Sequence, residues 1–299
     1  MLNVTKHYKS WFVFSAILLV AAIVFLFVFG LNAGIDFRGG TLSEIIFSAD
    51  RPEIAAIRSA LIGAGFADSV VQPTGEQSII VRTGPQEKAQ HDQLLSTIRE
   101  AFGEITEQQF TSIGPVIGKE LRQKAFWQLF LVVFGIVLYI TYVFRKVSRP
   151  VSSFKFGLTA IIALIHDLLI VVGVFALLGK FFGVEIDSLF VTALLTVLGF
   201  SVHDTIVVFD RIRENLRLRP GQDLGEIIDD SVNQTLVRSI NTSMTVVFVL
   251  TALLLFGGET IFYFVLALLI GILAGTYSSV FIAAPMLLVW HKWSLRRKT

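Results

Sequence analysis

Residues 199–215 read Gly199-Phe200-Ser201-Val202-His203-Asp204-Thr205-Ile206-Val207-Val208-Phe209-Asp210-Arg211-Ile212-Arg213-Glu214-Asn215. An apolar helical run holds a histidine and an aspartate side by side, then ends in dense charge. A carboxylate in a lipid-spanning helix costs a few kcal/mol or more unless it meets a partner or a water-filled path. The charged run marks where the helix leaves the membrane. Counted back from Arg211, Asp204 lies seven residues, about 10 Å, inside that boundary. Ser201, Asp204, Val208 and Arg211 recur at helical spacing and share a face. A buried protonatable group on a spanning helix is therefore the feature that function has to explain.

The rest of the chain agrees with a polytopic α-helical membrane protein. Hydrophobic residues are 54% of the 299, charged residues 16%, and 27 are Phe, a balance no soluble domain needs. Six runs are long and apolar enough to span: 11–31, 126–144, 156–178, 186–209, 240–256 and 261–290. The fifth extends toward Leu236 once polar residues are allowed inside the bundle. The first has a basic lead, Lys6 and Lys9, but its apolar run exceeds a signal core and no small-x-small site precedes Asp36, so it is read as a retained span. The chain has no cysteine, which excludes disulfide frameworks and thiolate metal sites, and its 5 histidines are scattered.

Basic residues orient the spans. Lys6 and Lys9 precede the first; Arg145, Lys146, Arg149 and Lys155 join the second to the third. Arg211, Arg213, Arg217 and Arg219 follow the fourth, while Lys292, Arg296, Arg297 and Lys298 close the chain. Simple alternation puts all of these on one side, the cytoplasmic one. Both termini are then cytoplasmic and the one long connection, residues 34–125, is extracytoplasmic. The net charge of +2 reflects cytoplasmic loops and requires no nucleic-acid partner.

Three segments follow: 1–33 with the first span, 34–125 as the external domain, and 126–299 with five further spans, cytoplasmic loops and a basic tail. The external domain reads β-α-β-β-α-β, with strands at 42–47, 69–72, 78–82 and 105–111 and helices at 52–63 and 86–102. That order is a ferredoxin-like split unit. Asp50 is the expected cap of its first helix, residues 73–76 the turn between the middle strands, and His91 lies on a polar helical stretch. Glycine-rich edges flank the domain: Gly34-Ile35-Asp36-Phe37-Arg38-Gly39-Gly40 and Ser112-Ile113-Gly114-Pro115-Val116-Ile117-Gly118. The first lacks the lysine and the strand–helix context of a phosphate loop. Gly39 and Gly40 are expected to supply positive φ, and with Gly114 and Pro115 to act as hinges coupling domain to membrane. Residues 210–237 suggest a short amphipathic helix on the inner membrane face, after Pro220-Gly221.

Inside the membrane, His166 and Asp167 lie near the middle of the third span, His203 and Asp204 near the inner end of the fourth. The fifth begins with Asn233, Gln234, Arg238, Asn241, Thr242 and Ser243. Two readings of Asp204 stand open: an ion pair with Arg238 that packs two helices, or a proton-coupling group whose affinity changes as that arginine moves. His203 is about 100° from Asp204 around the helix and titrates in a range suited to a relay. His166 and Asp167 stand open between a further proton-coupling role and polarity that packs helices, with contact to a partner subunit a third reading for Asp167. In the last span Gly271 and Gly275 form a small-xxx-small face for close helix crossing.

These motifs resemble the SecF family, the smaller membrane subunit of the bacterial SecD–SecF export complex. The resemblance spans nearly the whole chain and rests on residues 34–40, 112–115, Ala163-Leu164-Ile165-His166-Asp167 and, above all, 203–215. It departs at His203, where the family commonly has asparagine. The resemblance implies six spans of RND type paired with six of SecD, and work beside the SecYEG channel. It implies that a proton gradient, with no cofactor and no covalent catalysis, draws a translocating preprotein outward after the SecA step. By the same resemblance Asp204 and Arg238 lie in the proton path, and YajC and YidC join the partners. The alternatives are half of a proton-coupled small-molecule exporter, or a structural assembly factor of the translocon. A membrane hydrolase lacks an oriented nucleophile–base pair.

Overall fold

A computed structural model describes residues 2–145 and 153–296. Lys146, Arg149, Arg297 and Lys298, used above to orient the spans, lie outside them. In chain order the elements are α1 (Tyr8–Phe29), α2 (Ile35–Arg38), β1 (Gly40–Phe47), α3 (Ile54–Gly63), β2 (Val70–Thr74), β3 (Ser78–Thr83), α4 (Lys88–Phe102) and β4 (Ile105–Ile113). There follow α5 (Pro115–Val143), α6 (Ser153–Phe182), α7 (Ser188–Leu218), α8 (Leu224–Phe256) and α9 (Glu259–Ser278), then a π-helical turn (Ser279–Ala283) and α10 (Ala284–Arg296). Among the described residues six helices are long and apolar enough to cross a membrane, the sixth running Thr260–Ser294 through the π turn. The chain divides into two compact units, one of the helices and one of Ala33–Phe126 together with Glu185–Ser188.

In the helical unit, α7 is buried along Phe190, Leu194, Val197, Ser201, Asp204, Val208, Ile212 and Asn215, one stripe at three- and four-residue spacing. Toward the C-terminal half of α7 an aromatic cluster closes the core: Phe144 stacks on Phe156 at 5.2 Å, and Phe209 meets Phe156 edge-on at 5.1 Å. Val4, fully buried, joins that cluster. Residues 210–237 do not form a separate surface helix. Instead α7 runs on to Leu218, and α8 starts at Leu224 after Gly221 (φ +90°), with Asp223 accepting from the Gly225 and Glu226 amides. The apolar stripe Leu224, Ile227, Ile228 and Val232 is buried in the bundle. The polar positions between are satisfied there: Asn215 donates to Ser231 at 2.8 Å, and Arg219 pairs with Asp230 at 2.5 Å.

The small unit has a four-stranded sheet in the order β2-β3-β1-β4, every pair antiparallel, which is the split β-α-β arrangement. Alternate residues of β1 and β3, Ile45, Phe47, Ile79 and Val81, bury against Ile57, Leu61, Leu94 and Ile98 of α3 and α4. The strands outrun the sequence expectation. β1 begins at Gly40, and β2 continues through Pro73 and Thr74, so the turn shrinks to residues 75–77. Pro73 is tolerated because β2 is an edge strand. Glu53, not Asp50, occupies the N-cap of α3. His91 is buried rather than on a polar face: its ring lies 4.1 Å from that of Phe110 and its Nε2 is 3.1 Å from Glu107.

Gly39 (φ +79°) and Gly40 (φ +142°) have the positive φ expected of them. They also permit close approach. A Cβ on Gly39 would stand 2.9 Å from Pro115 Cα, and one on Gly40 2.5 Å from the Thr83 carbonyl oxygen. Gly118 closes the same contact, since its Cβ would lie 2.8 Å from the Gly39 nitrogen. Pro115 opens α5 as the first helical residue, where a missing amide costs nothing. No neighbour approaches a Cβ at Gly114.

Candidate functional site

Two carboxylates occupy the helical unit's interior, and hydroxyl groups hold both. Asp167, fully buried on α6, accepts through Oδ2 from the Ser201 hydroxyl at 2.5 Å and the Ser278 hydroxyl at 2.8 Å. Its Oδ1 lies 2.9 Å from His166 Nδ1. Three helices, α6, α7 and α9, thus converge on one carboxyl group. His166 is 2% exposed, stacks beside Tyr277 at 6.2 Å, and its Nε2 is buried without a hydrogen-bond partner. Tyr277 in turn reaches Ser15 at 3.1 Å and donates to the Trp11 carbonyl, which carries the network to α1.

Asp204 is 7% exposed and meets α8 and α9. Its Oδ2 accepts from Ser243 and from Thr276, each at 3.3 Å, and those two hydroxyls are 2.7 Å apart. Asp204 also lines a cavity of about 10 Å³ with Phe200, Ser201, Thr242, Ser243 and Thr276. That is about the smallest space that holds one water molecule. One turn of α7 connects the two carboxylates, because Ser201, which bonds Asp167, is three residues before Asp204. Thr205 then bonds Ser279 at 2.8 Å, where the π turn begins. Inserted π turns recur at functional sites because they re-aim side chains without ending the helix.

The Asp204–Arg238 pair expected from sequence is not formed. Arg238 is exposed on α8, whereas Ser239 and Ser243 are buried. Five residues separate Arg238 from Ser243, about 140° around a helix, so both cannot face Asp204. His203 is likewise exposed and outside the network, and Arg211 bonds Gln234 and Glu214 instead of continuing the Asp204 face. Gly271 and Gly275 lie on α9 against α7: a Cβ on Gly275 would come 2.9 Å from Ser201 Cβ, and one on Gly271 would overlap Val197. Thr276 and Thr205 escaped sequence reasoning. For Thr276 the signal was the polar run Thr276-Tyr277-Ser278-Ser279 inside an apolar span; the π turn had none. Among the described residues, no three His, Asp or Glu side chains gather as a metal site.

Residues 93–293 match the family described as "Protein export membrane protein SecD/SecF, C-terminal", and residues 24–47 match the "SecD/SecF GG Motif". With six spanning helices, these matches define a multi-pass inner-membrane subunit of protein export. The chain is 48% identical to the protein translocase subunit SecF of Thermobaculum terrenum, covering 97% of this chain and 94% of that one. It is 38% identical to SecF of Anaerolinea thermophila over 99% and 96% of the two chains. A crystal structure of SecDF, a translocon-associated membrane protein from Thermus thermophilus, superposes with a TM-score of 0.87 at 30% identity; it covers 97% of this chain, which spans 39% of that longer one. The chain belongs to the SecF family of protein translocase subunits, auxiliary subunits of the Sec translocase.

Proposed function

We propose that this subunit couples the proton-motive force to the late stage of preprotein translocation, together with SecD. Asp204 is the group that takes up and releases the proton. The observation that supports this most directly is its setting: a nearly buried carboxylate on a spanning helix, hydrogen-bonded by the Ser243 and Thr276 hydroxyls, at a cavity the size of one water. Hydroxyls serve either protonation state, since each can donate to a carboxylate or accept from a carboxylic acid. A fixed arginine partner would instead hold the charged form. His166 and Asp167 form a second station, joined to the first through Ser201.

His203, Arg238, Asn241, Thr242 and Thr245 are exposed on spanning helices, and such groups do not face lipid cheaply. In this reading an RND-type SecD half covers them, and Arg238 and His203 complete the proton path at that contact. Both termini are cytoplasmic and the 34–125 domain is extracytoplasmic, where it meets the emerging preprotein. Gly39, Gly40, Gly114 and Pro115 are the hinges between the two. SecYEG is the channel served, with YajC and YidC as accessory partners.

The test is completion of export into inverted membrane vesicles after SecA and ATP are removed, for the unaltered protein and Asp204→Asn, with and without a gradient. The expected result is an assembled Asp204→Asn complex that loses only the gradient-dependent completion. Equal response of the two assembled complexes would refute the coupling role of Asp204.

A further inference from the structure

On α8 the buried residues Ser231, Thr235, Ser239 and Ser243 recur at every fourth position, so their hydroxyls share one face of a spanning helix. At one end Ser243 meets Asp204 and Thr276. At the other, Ser231 accepts from the Asn215 side-chain amide at 2.8 Å. That amide also reaches Gln234 at 3.0 Å, and Gln234 bonds Arg211, the partner of the exposed Glu214. The stripe therefore runs from the Asp204 cavity to the charged end of the bundle, where residues 219–223 join α7 to α8.

Helix packing alone does not call for these groups. Ser231 and Thr235 donate to carbonyls of their own helix, those of Ile227 at 2.6 Å and Ser231 at 2.9 Å. Ser239 is 3% exposed, and its hydroxyl has no hydrogen-bond partner among the described residues. An unpaired buried hydroxyl costs stability that an alanine there would not. The stripe is also one-sided. One turn before Asp204 and Thr276 stand Phe200 and Ile272, and one turn beyond Ser243 stands Val247. On α7, Asp204 and Asn215 lie about 16 Å apart along the axis, with Val208 and Ile212 buried between them. Across that apolar interval it is α8 that supplies hydroxyls.

Residues four apart are separated by about 6 Å along a helix. Hydrogen-bonded oxygens lie about 2.7–2.8 Å apart, so one water bridges each step. We infer that Ser231, Thr235, Ser239 and Ser243 form the path by which a proton passes between Asp204 and the α7–α8 connection, with one water at each step. The inference rests on the coupling role proposed for Asp204 and names the residues that supply it. At each oxygen one O–H bond forms as another breaks, so the hydroxyls end unchanged and Asp204 has gained or lost one proton. Serine and threonine suit the task because a hydroxyl donates and accepts at once. Ser239, committed to neither, is the middle step.

The chain has no cysteine, so access to the stripe can be read chemically. In the purified SecD-containing complex, Ser239→Cys should react with silver ion. Adding Thr235→Val should slow that reaction roughly tenfold or more, because valine keeps the shape of threonine and removes one buried hydrogen-bonding step. Val232→Cys, fully buried on the same helix but outside the stripe, should stay unreactive. The second readout is gradient-dependent completion of export, with assembly checked by co-purification. Thr235→Val and Ser239→Val should lose it, whereas Thr235→Ser and Ser239→Thr, which keep a hydroxyl, should retain it. Ser239→Val and Ser239→Thr add the same bulk, so a packing defect would affect both alike.

Equal reactivity at positions 232 and 239, or no slowing by Thr235→Val, overturns the path. Full completion by both valine variants overturns it too, as does equal loss in Ser239→Val and Ser239→Thr. If a valine variant fails to assemble, the comparison of Ser239→Cys with Val232→Cys decides alone, since the first exchanges only oxygen for sulfur. If Asp204→Asn abolishes completion while the valine variants keep it, only the path is wrong. If Asp204→Asn retains completion, the coupling reading itself falls and takes the path with it.

Discussion

Replacing Gly275 by alanine tests whether α7 and α9 are packed as tightly as the carboxylate network requires. The added Cβ would stand 2.9 Å from Ser201 Cβ, 3.1 Å from its Cα and 3.2 Å from its Oγ. Ordinary carbon–carbon contact is about 3.5–4.0 Å, so the helices must part by roughly 0.5–1 Å. Backbone is among the atoms met, so no rotamer change relieves the clash. Overpacking of this kind costs about 1–3 kcal/mol. Ser201 would also be moved from Asp167, to which it donates at 2.5 Å.

The control is Gly199→Ala on α7, where no atom lies within 4 Å of the added Cβ. Both substitutions gain the same helix propensity, so their difference isolates the steric effect. Thermal unfolding of the purified SecD-bound complex measures it. At about 2–4 °C per kcal/mol for a chain of this size, Gly275→Ala should melt roughly 2–12 °C below Gly199→Ala. Equal midpoints would refute the close crossing of α7 and α9 at Ser201 and Gly275.

Two further outcomes follow from the geometry. Asp229 accepts from the Thr5 amide at 2.9 Å and from its hydroxyl at 2.5 Å, clasping the N-terminal segment to α8. Hydrogen bonds to a charged group are worth about 1.5–3 kcal/mol, so Asp229→Ala should speed amide exchange at Thr5 at least about tenfold, and unchanged exchange would discount the clasp. Burial raises the Glu185 carboxyl above its usual value, Arg82 and Arg38 oppose the rise, and Asp187 adds to it. A group with a raised folded-state value contributes stability that is full below its ordinary 4.5 and lost as pH rises through the raised value. Protection of the Gly34 amide, which donates to the Ile186 carbonyl at 2.8 Å, should therefore weaken over that window once corrected for intrinsic exchange. Glu185→Gln should flatten the trend; an identical slope in that variant would assign it to another group.

What could be read in the chain itself was whatever depends on neighbours along it. Apolar runs of spanning length, alternation in β1 and β3, and three- and four-residue spacing in α7 are local patterns. They predicted six helices and the β-α-β-β-α-β order, because burying a face demands that period whatever the partner. Positive φ at Gly39 and Gly40 was legible for the same reason. The carboxylates were visible as polar groups where polarity is expensive.

Which atoms meet those carboxylates is a different matter, decided by how helices far apart in sequence cross. Arg238 was the natural partner by charge, yet the rotation of α8 turns Ser243 inward and leaves Arg238 exposed. The π turn at Ser279–Ala283 follows a serine run that any ordinary helix accepts, so it had no sequence signal. His91 looked solvent-facing until β4 placed Glu107 and Phe110 against it. Residues 185–188 are too short to show any period, so only the tertiary contacts of Gly34, Asp36 and Arg82 could assign them to the small domain. Local periodicity selects the elements; long-range packing selects the bonds, since each depends on distances the chain order does not encode.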